Sequence, residues 1–315
     1  MFFLTMKLFL LKFSFFIFLM LLGGTTYAQQ EAMYSQYMFN GLAINPAYAG
    51  STEVLSAAAL YRKQWVGVDG APTTQTFSAH APVYNNRVGL GFSVINDKIG
   101  ISNNVAANGI YAFRIITNRG IFSMGLQTGI GQYRANYRNV KTNPDGLIDQ
   151  TFQDSQNSLM FNFGTGFFYT TDNFYVGGSI PYLVSKEVAR LGNASIYSPS
   201  HYRHVFLTSG YVFTLSPTLK LKPSTLVKFA EGAPVQVDVN ANLWFNDVLS
   251  TGLSYRTGDA VVGMVEFQLT RQLRLGYAYD QPLSDTKRYV GSSHELMLRF
   301  DLVSPKTKYV SPRYF

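Results

Sequence analysis

Apolar and polar residues alternate with a period of two along most of the chain. The clearest run is Val235 to Phe245. There Val235, Val237, Val239, Ala241, Leu243 and Phe245 fall on one face, and Gln236, Asp238, Asn240 and Asn242 on the other. Successive side chains of a strand point to opposite faces, so this pattern predicts strands that meet two different surroundings. Upstream, Leu219, Leu221, Val227 and Phe229 alternate with Lys220, Lys222, Ser224 and Lys228, and Pro223 interrupts that ladder as at a bulge. Fourteen such segments are predicted, near 53–62, 74–81, 87–96, 104–116, 121–133, 158–170, 173–180, 203–214, 218–229, 234–245, 248–256, 259–269, 272–280 and 293–301. Several have small residues on the inner face: Gly89, Gly91 and Ser93 alternate with Leu90, Phe92 and Val94, and Gly125, Gln127 and Gly129 with Met124, Leu126 and Ile130.

The connections alternate as well. Tight turns are predicted at Pro82–Asn86, Thr117–Gly120, Thr171–Asp172, Leu215–Pro217, Asn246–Asp247 and Thr270–Arg271. The first, third, fifth, seventh and thirteenth connections read as longer, with Arg134–Asn157 and Pro181–Tyr202 the longest, and only the ninth (Ala230–Ala233) and eleventh (Thr257–Gly258) break the pattern. Short turns on one side and long loops on the other are the habit of outer-membrane barrels. The fold class expected is all-β, a transmembrane antiparallel up-and-down β-barrel of about fourteen strands. An even strand number puts both termini in the periplasm. A soluble β-sandwich accounts for the strands but not for the alternation of loop lengths.

Composition sharpens this picture. Charged residues are 14% of the chain, aromatic residues 15% and hydrophobic residues 47%, against about 25% charged in ordinary soluble domains. Mean hydropathy is +0.02. Few charges with no overall hydrophobicity is what interleaved lipid-facing and lumen-facing positions produce. The aromatic load rules out intrinsic disorder. Absence of cysteine excludes disulfides, thiolate metal sites, cysteine nucleophiles and a lipid-bearing cysteine anchor.

The chain divides into four parts. Residues 1–28 carry Lys7 and Lys12, an apolar run from Phe13 to Leu22 and small Thr26 and Ala28 around Tyr27, the layout of a cleaved signal peptide. Residues 29–51 form an N-terminal periplasmic segment or plug. Its apolar Met38, Phe39, Leu42 and Ile44 need burial, and Asn45-Pro46 disfavours a continuous helix, so the segment is expected in or across the periplasmic mouth. Residues 52–301 form the barrel, and 302–315 a periplasmic tail. After Ala28 no stretch approaches the roughly 18 apolar residues that a membrane helix needs.

Candidate chemistry is sparse. Ser78 and His80 share a strand face with Thr76, but no acid stands nearby to orient the histidine, so the pair reads as ordinary period-two neighbours. His201 and His204 lie at a loop-to-strand junction without the acids or cysteines of a metal site. No nucleotide-binding or nucleophile-elbow motif occurs. No catalytic, metal or cofactor-binding residue is assigned, and no enzyme activity is expected. The net charge of +8 does not imply nucleic acid, because the signal peptide directs the chain out of the cytoplasm. Lys220, Lys222 and Lys228 are expected in the lumen with Asp238, Glu266, Glu295 and Asp301 as partners. Tyr61, Trp65, Tyr169, Tyr175, Trp244 and Tyr279 are expected in the interface girdles.

Longer motifs carry a family resemblance. Tyr34-Ser-Gln-Tyr-Met-Phe-Asn40 and Ile44-Asn-Pro-Ala-Tyr-Ala-Gly50 are similar to the opening signature of the PorP/SprF membrane proteins of the type IX secretion system of Bacteroidetes. Arg62-Lys-Gln-Trp-Val-Gly67, Gly70-Ala-Pro-Thr-Thr-Gln75, Val94-Ile-Asn-Asp-Lys-Ile-Gly100, Leu219-Lys-Leu-Lys-Pro-Ser224, Ser254-Tyr-Arg-Thr-Gly-Asp259 and Ser311-Pro-Arg-Tyr-Phe315 match in order. The resemblance implies a non-enzymatic outer-membrane component of secretion and gliding, surrounded by outer-membrane lipid. It implies as partners the periplasmic and outer-membrane secretion components and a secreted surface protein such as an adhesin. It carries no catalytic residues. The alternative function is a transport channel for small solutes.

The tail supplies the first prediction. Pro305 and Pro312 argue against another paired strand, and Arg313, Tyr314 and Phe315 are residue types that anchor interfaces. Deleting Ser311–Phe315 is expected to leave barrel abundance in the outer membrane normal while export of the partner is lost. Lost abundance instead marks the tail as an assembly signal, and no change in either marks it as dispensable.

Overall fold

The structure, a computed structural model, describes residues 33–137, 155–191 and 203–303. Fifteen strand segments follow in chain order: β1 (Ser56–Lys63), β2 (Thr73–Val83), β3 (Val88–Ile99), β4 (Ser102–Thr117), β5 (Gly120–Ala135), β6 (Gln156–Thr170), β7 (Phe174–Arg190), β8 (His204–Tyr211), β9 (Phe213–Ser216), β10 (Leu219–Ala230), β11 (Gln236–Phe245), β12 (Leu249–Arg256), β13 (Ala260–Gln268), β14 (Leu273–Pro282) and β15 (Ser293–Asp301). β8 and β9 lie end to end on β10, broken at Val212, so the wall has fourteen strands. Pro223 explains the break. It has no N–H to give, and the β8–β10 ladder ends at Gly210 opposite Ser224 while the β9 ladder resumes at Phe213 opposite Leu221.

All pairings are antiparallel, and β15 returns to β1 with Asp301 opposite Ser56 and His294 opposite Lys63. The fold is therefore a closed all-β barrel. Closure removes the sheet edges that hydrocarbon does not tolerate. Among the described residues no helix is long and apolar enough to cross a membrane; the strands do the crossing.

Period two sorts the side chains as the sequence requires. On β11, Asp238, Asn240 and Asn242 are buried while Val239 and Phe245 are exposed. On β15, Glu295, Met297 and Arg299 face inward, and Leu296, Leu298 and Phe300 outward. The tight Asn246–Asp247 turn has both residues at positive φ, 52° and 57°, the backbone that matches the twist of a two-residue hairpin.

Four details differ from the sequence expectation. β7 does not stop at 180 but runs through Pro181 to Arg190, because Pro181 lies at a register break opposite Gly164, where the ladder does not call on its N–H. The third connection is short: β3 and β4 extend until only Gly100 and Ile101 separate them. Trp244 and Tyr175 are buried on the lumen face rather than in a girdle. Trp244 follows from parity, since it shares a face with Asn240 and Asn242.

β4 to β7 hold 16, 16, 15 and 17 residues, more than the roughly 9–11 that a crossing needs. Among the described residues β7 pairs with β6 as far as Arg190 and with β8 from Phe174 to Ser179.

An outward Leu253→Arg substitution is expected to cost about 2–4 kcal/mol if the residue lies near the bilayer midplane, since Leu253 on β12 is among the most exposed apolar residues at 66%. The check is the urea midpoint of the heat-modifiable folded band in lipid vesicles.

Candidate functional site

The lumen is occupied by the chain's own N-terminal segment. Residues 41–43 and 46–48 form two short 3-10 turns, Gly41–Ala43 and Pro46–Tyr48. Asn45 separates them in an extended conformation, φ −140° and ψ 114°, as the residue before a proline prefers. Its side-chain oxygen accepts the Ala47 N–H at 2.9 Å and caps the second turn. Pro46 opens that turn, where no N–H is missed. Met38, Phe39, Leu42, Ile44, Asn45 and Pro46 are all buried.

The segment meets the wall at several points. Asn45 donates its amide to the Phe167 carbonyl on β6 at 2.9 Å. Ser179 on β7 donates to the Ile44 carbonyl at 2.6 Å. Phe39 stands edge-on to Trp244, ring centroids 5.9 Å apart. Arg299 donates to the Phe39 carbonyl at 3.1 Å, and Lys222 to that of Met38 at 3.3 Å. Small inner residues make room. A Cβ on Gly125 would strike the Pro46–Ala47 backbone, and one on Gly89 the Ala49 carbonyl. A cavity of about 20 Å³ remains between Tyr37, Met38, Ile44, Tyr48, Phe168 and Tyr175, room for about one water.

Ser78 and His80 are committed to the same segment. His80 Nδ1 accepts the Gly50 N–H at 3.0 Å, and the Tyr48 ring stands edge-on to the imidazole. Ser78 bonds the Asn40 side chain. His294 faces outward against Tyr277, 2.7 Å from its hydroxyl. His204 is buried and stacked on Phe206. His201 and the tail residues Arg313, Tyr314 and Phe315 lie outside the described residues. Among the described residues no cluster of histidines, cysteines and acids could hold a metal.

The start of the segment is held by charge. Glu295 on β15 accepts the backbone N–H of Ser35 and that of Gln36, both at 2.8 Å, one on each carboxylate oxygen. Arg62 on β1 bridges Glu295 at 3.2 Å and Asp280 on β14 at 2.7 Å. Ser35 sits inside this triangle, donating its hydroxyl to Asp280 at 2.7 Å. Arg256 continues the network to Asp238 at 3.1 Å, Asp259 at 3.3 Å and Asp280 at 3.6 Å. Arg274 pairs with Glu266, and Arg299 with Asp301, each at 3.1 Å. Burial, and then the Asp238 carboxylate, push the Tyr37 hydroxyl well above the usual phenol range, so it stays neutral and accepts from Asn240.

The acids therefore pair chiefly with arginines, not with the lysines the sequence suggested. Lys220 bonds Asp247 in a turn at 2.9 Å. Lys222 lies over the rings of Tyr175 and Phe39, 5.4 and 5.9 Å from their centroids. Parity gives the face of a residue but not its height, and partners on strands far apart in sequence cannot be matched without height.

Over residues 26–300 the sequence matches the family described as type IX secretion system membrane protein PorP/SprF. No curated protein matches it. Similar solved structures include the outer membrane protein Omp33 of Acinetobacter baumannii, 12% identical, covering 79% of this chain and 98% of that one, TM-score 0.45. The CymD monoaromatic hydrocarbon channel is 10% identical over 87% of this chain and 94% of that one, TM-score 0.48. A Pseudomonas aeruginosa FadL homologue is 11% identical over 85% and 94%, TM-score 0.43.

Two substitutions probe the lumen. Glu295→Ala leaves Arg62 short of a buried partner and two amides unsatisfied, and is expected to cost about 3–5 kcal/mol, read as a lowered urea midpoint. Gly125→Val is expected to cost about 1–3 kcal/mol and to raise cleavage at Tyr34–Leu42 by added protease, with the heat-modifiable barrel band retained. Unchanged cleavage would show that the segment does not depend on close approach to β5.

Proposed function

We propose that this chain, which belongs to the type IX secretion system membrane protein family PorP/SprF, is a sealed scaffold that supports export or surface attachment of a secreted partner such as an adhesin, and is not a conduit. The coarser statement is plain: it is an outer-membrane β-barrel component of type IX secretion. It resembles secretion and transport barrels rather than enzymes.

The observation that carries the finer reading is the filled lumen. Residues 33–51 are tied to β15 through Glu295, to β6 through Asn45 and to β2 through His80. A plug fastened on opposite walls leaves little for a solute to pass through, whereas a scaffold needs only its surfaces. In this reading residues 1–28 are removed on export, the short turns and both termini face the periplasm, and the tail with Arg313, Tyr314 and Phe315 meets periplasmic secretion components. Residues 29–51 serve as the plug, with Met38, Phe39, Leu42, Ile44, Asn45 and Pro46 at its centre.

Planar-bilayer recording tests the sealed barrel. The full chain is expected to give no large, stable current. A chain lacking 34–45, checked for the folded band by heat-modifiability, is expected to conduct. Large solute-selective currents from the full chain would establish the small-solute channel instead. Loss of the gene is expected to abolish surface display of a type IX partner while other outer-membrane barrels stay at normal abundance.

A further inference from the structure

At the end of the wall that carries the 64–72 connection, three outward residues stand side by side on adjacent strands. Lys63 on β1 is paired with Thr73 on β2, and Thr73 with Lys98 on β3. Residues directly opposite one another in an antiparallel ladder project to the same face, so a hydroxyl stands between two ammonium groups. Two strand spacings put the lysine backbones about 10 Å apart, within the joint reach of their side chains. Both lysines are exposed, and among the described residues none of the three side chains has a hydrogen-bond or ion-pair partner. No acid faces outward on these strands. Asp97, beside Lys98 in sequence, is turned to the other face and accepts from Thr74 at 2.6 Å. The lumen differs, since Arg62, Arg256 and Arg274 each sit against a carboxylate there.

The outer surface changes in steps of two residues away from the triad. The next row is Tyr61, Gln75 and Asn96, in which the Asn96 amide donates to Gln75 at 3.2 Å. The row after that is Ala59, Phe77 and Val94. Cations, then amides and a phenol, then hydrocarbon is the order in which a lipid presents its phosphate, its polar linkage and its chains. The hydrocarbon part also has a shape. Ala57 and Ala59 form a floor on β1, with Phe300 and Leu298 opposite them on β15 and Phe77 opposite Ala59 on β2. Leu298, Phe300 and Phe77 are exposed, at 43, 38 and 47%. The two sides of this furrow are two strand spacings apart, about 10 Å between backbones, and the single methyl groups of the alanines leave it open. Lysines that merely snorkel at an interface need no such furrow beneath them.

We propose that Lys63, Thr73 and Lys98 bind the phosphate of a phosphorylated glycolipid of the outer leaflet, with one of its acyl chains in the furrow over Ala57 and Ala59. Phosphate oxygens accept several charge-assisted hydrogen bonds at once, which two ammonium groups and a hydroxyl supply. A protein occupant is disfavoured, because the furrow lies on the hydrocarbon-facing wall, where lipid is the neighbour. The outer leaflet as source rests on the orientation proposed above, with the short turns in the periplasm. It does not depend on a sealed lumen.

Native mass spectrometry of the full-length barrel, with defined lipids added to the detergent micelles, tests the site. Bis-phosphorylated lipid A is expected to bind, and its dephosphorylated form at least about ten-fold more weakly. Lys63→Gln with Lys98→Gln is expected to weaken lipid A binding by about ten-fold or more. Arg119→Gln with Arg271→Gln removes the same charge from the turns at the opposite end of the barrel and is expected to change nothing. Ala59→Leu keeps every charge, fills the furrow and is expected to weaken lipid A binding while the heat-modifiable folded band is retained. Equal losses from the two double variants would overturn the proposal, since net charge alone would then account for binding. Unaltered binding by Ala59→Leu, displacement of lipid A by inorganic phosphate alone, or equally tight binding of phosphatidylglycerol would overturn the glycolipid as occupant.

The leaflet is tested separately. The chain has no cysteine, and Tyr289, 84% exposed, lies in the connection between β14 and β15 at the triad's end. Tyr289→Cys is expected to react with a membrane-impermeant maleimide on intact cells. Reaction only after the outer membrane is opened would overturn both the outer leaflet as source and the proposed orientation, whereas loss of lipid A binding with normal labelling would refute neither the orientation nor the scaffold.

Discussion

A barrel wall in hydrocarbon must satisfy every backbone N–H and C=O by pairing with its neighbours, and this requirement organises the rest of the protein. It makes strands the crossing elements of the described residues and closes β15 onto β1. It also leaves the side chains to deal with two solvents. Valine, leucine and phenylalanine take the outside. The inner positions cannot all be apolar without losing the distinction between faces, so they are polar, charged or small. An inner face of that kind is costly unless its groups find partners, and residues 33–51 provide many of them. Plug and wall thus complete each other's hydrogen bonds, and neither is fully satisfied alone.

The two halves of the wall hold the segment by different means. Around β14, β15, β1 and β12 the contact is electrostatic. One carboxylate takes two consecutive amides, and a buried arginine on β1 spans two acids. Such pairs give little net stability once their desolvation is counted, but they penalise any arrangement that leaves one partner alone. They therefore fix where Ser35 and Gln36 sit more than how tightly. Arginine suits this better than lysine, since its planar fork serves two acceptors at once. Around β3, β5 and β6 the contact is steric. Glycines let the 3-10 turns press backbone to backbone, and aromatic edges of Tyr48 and Phe168 close the remaining space.

Much of this was legible in the sequence, for identifiable reasons. β11 and β15 are amphipathic strands bounded by turn residues, and period two alone locates their faces. Met38, Phe39, Leu42 and Ile44 are too apolar for an exposed leader, and Asn45-Pro46 disfavours a continuous helix. The structure finds those residues buried, in and beside two short turns. The failures share one cause. Residue type puts Trp244 and Tyr175 in a girdle, whereas parity puts Trp244 inside. Face alone suggests the lysine–acid pairing, whereas height decides partners. The alternation places the end of β7 at 180, before Pro181, and the strand runs on because Pro181 lies at a register break opposite Gly164, seventeen positions earlier in sequence.

That break links the lumen to the rim. Gln127 on β5 reaches past β6 to the Pro181 carbonyl at 3.5 Å, and Tyr182 is turned into the interior. Just below, Ser179 and the Phe167 carbonyl are engaged by Ile44 and Asn45. The residues where β7 leaves β8 are thus adjacent to the residues that seat the second turn of the plug. Packed interiors switch between discrete arrangements rather than deforming smoothly. The position of the break, one residue beyond the contact with Ile44, makes the seal and the rim parts of one structural unit.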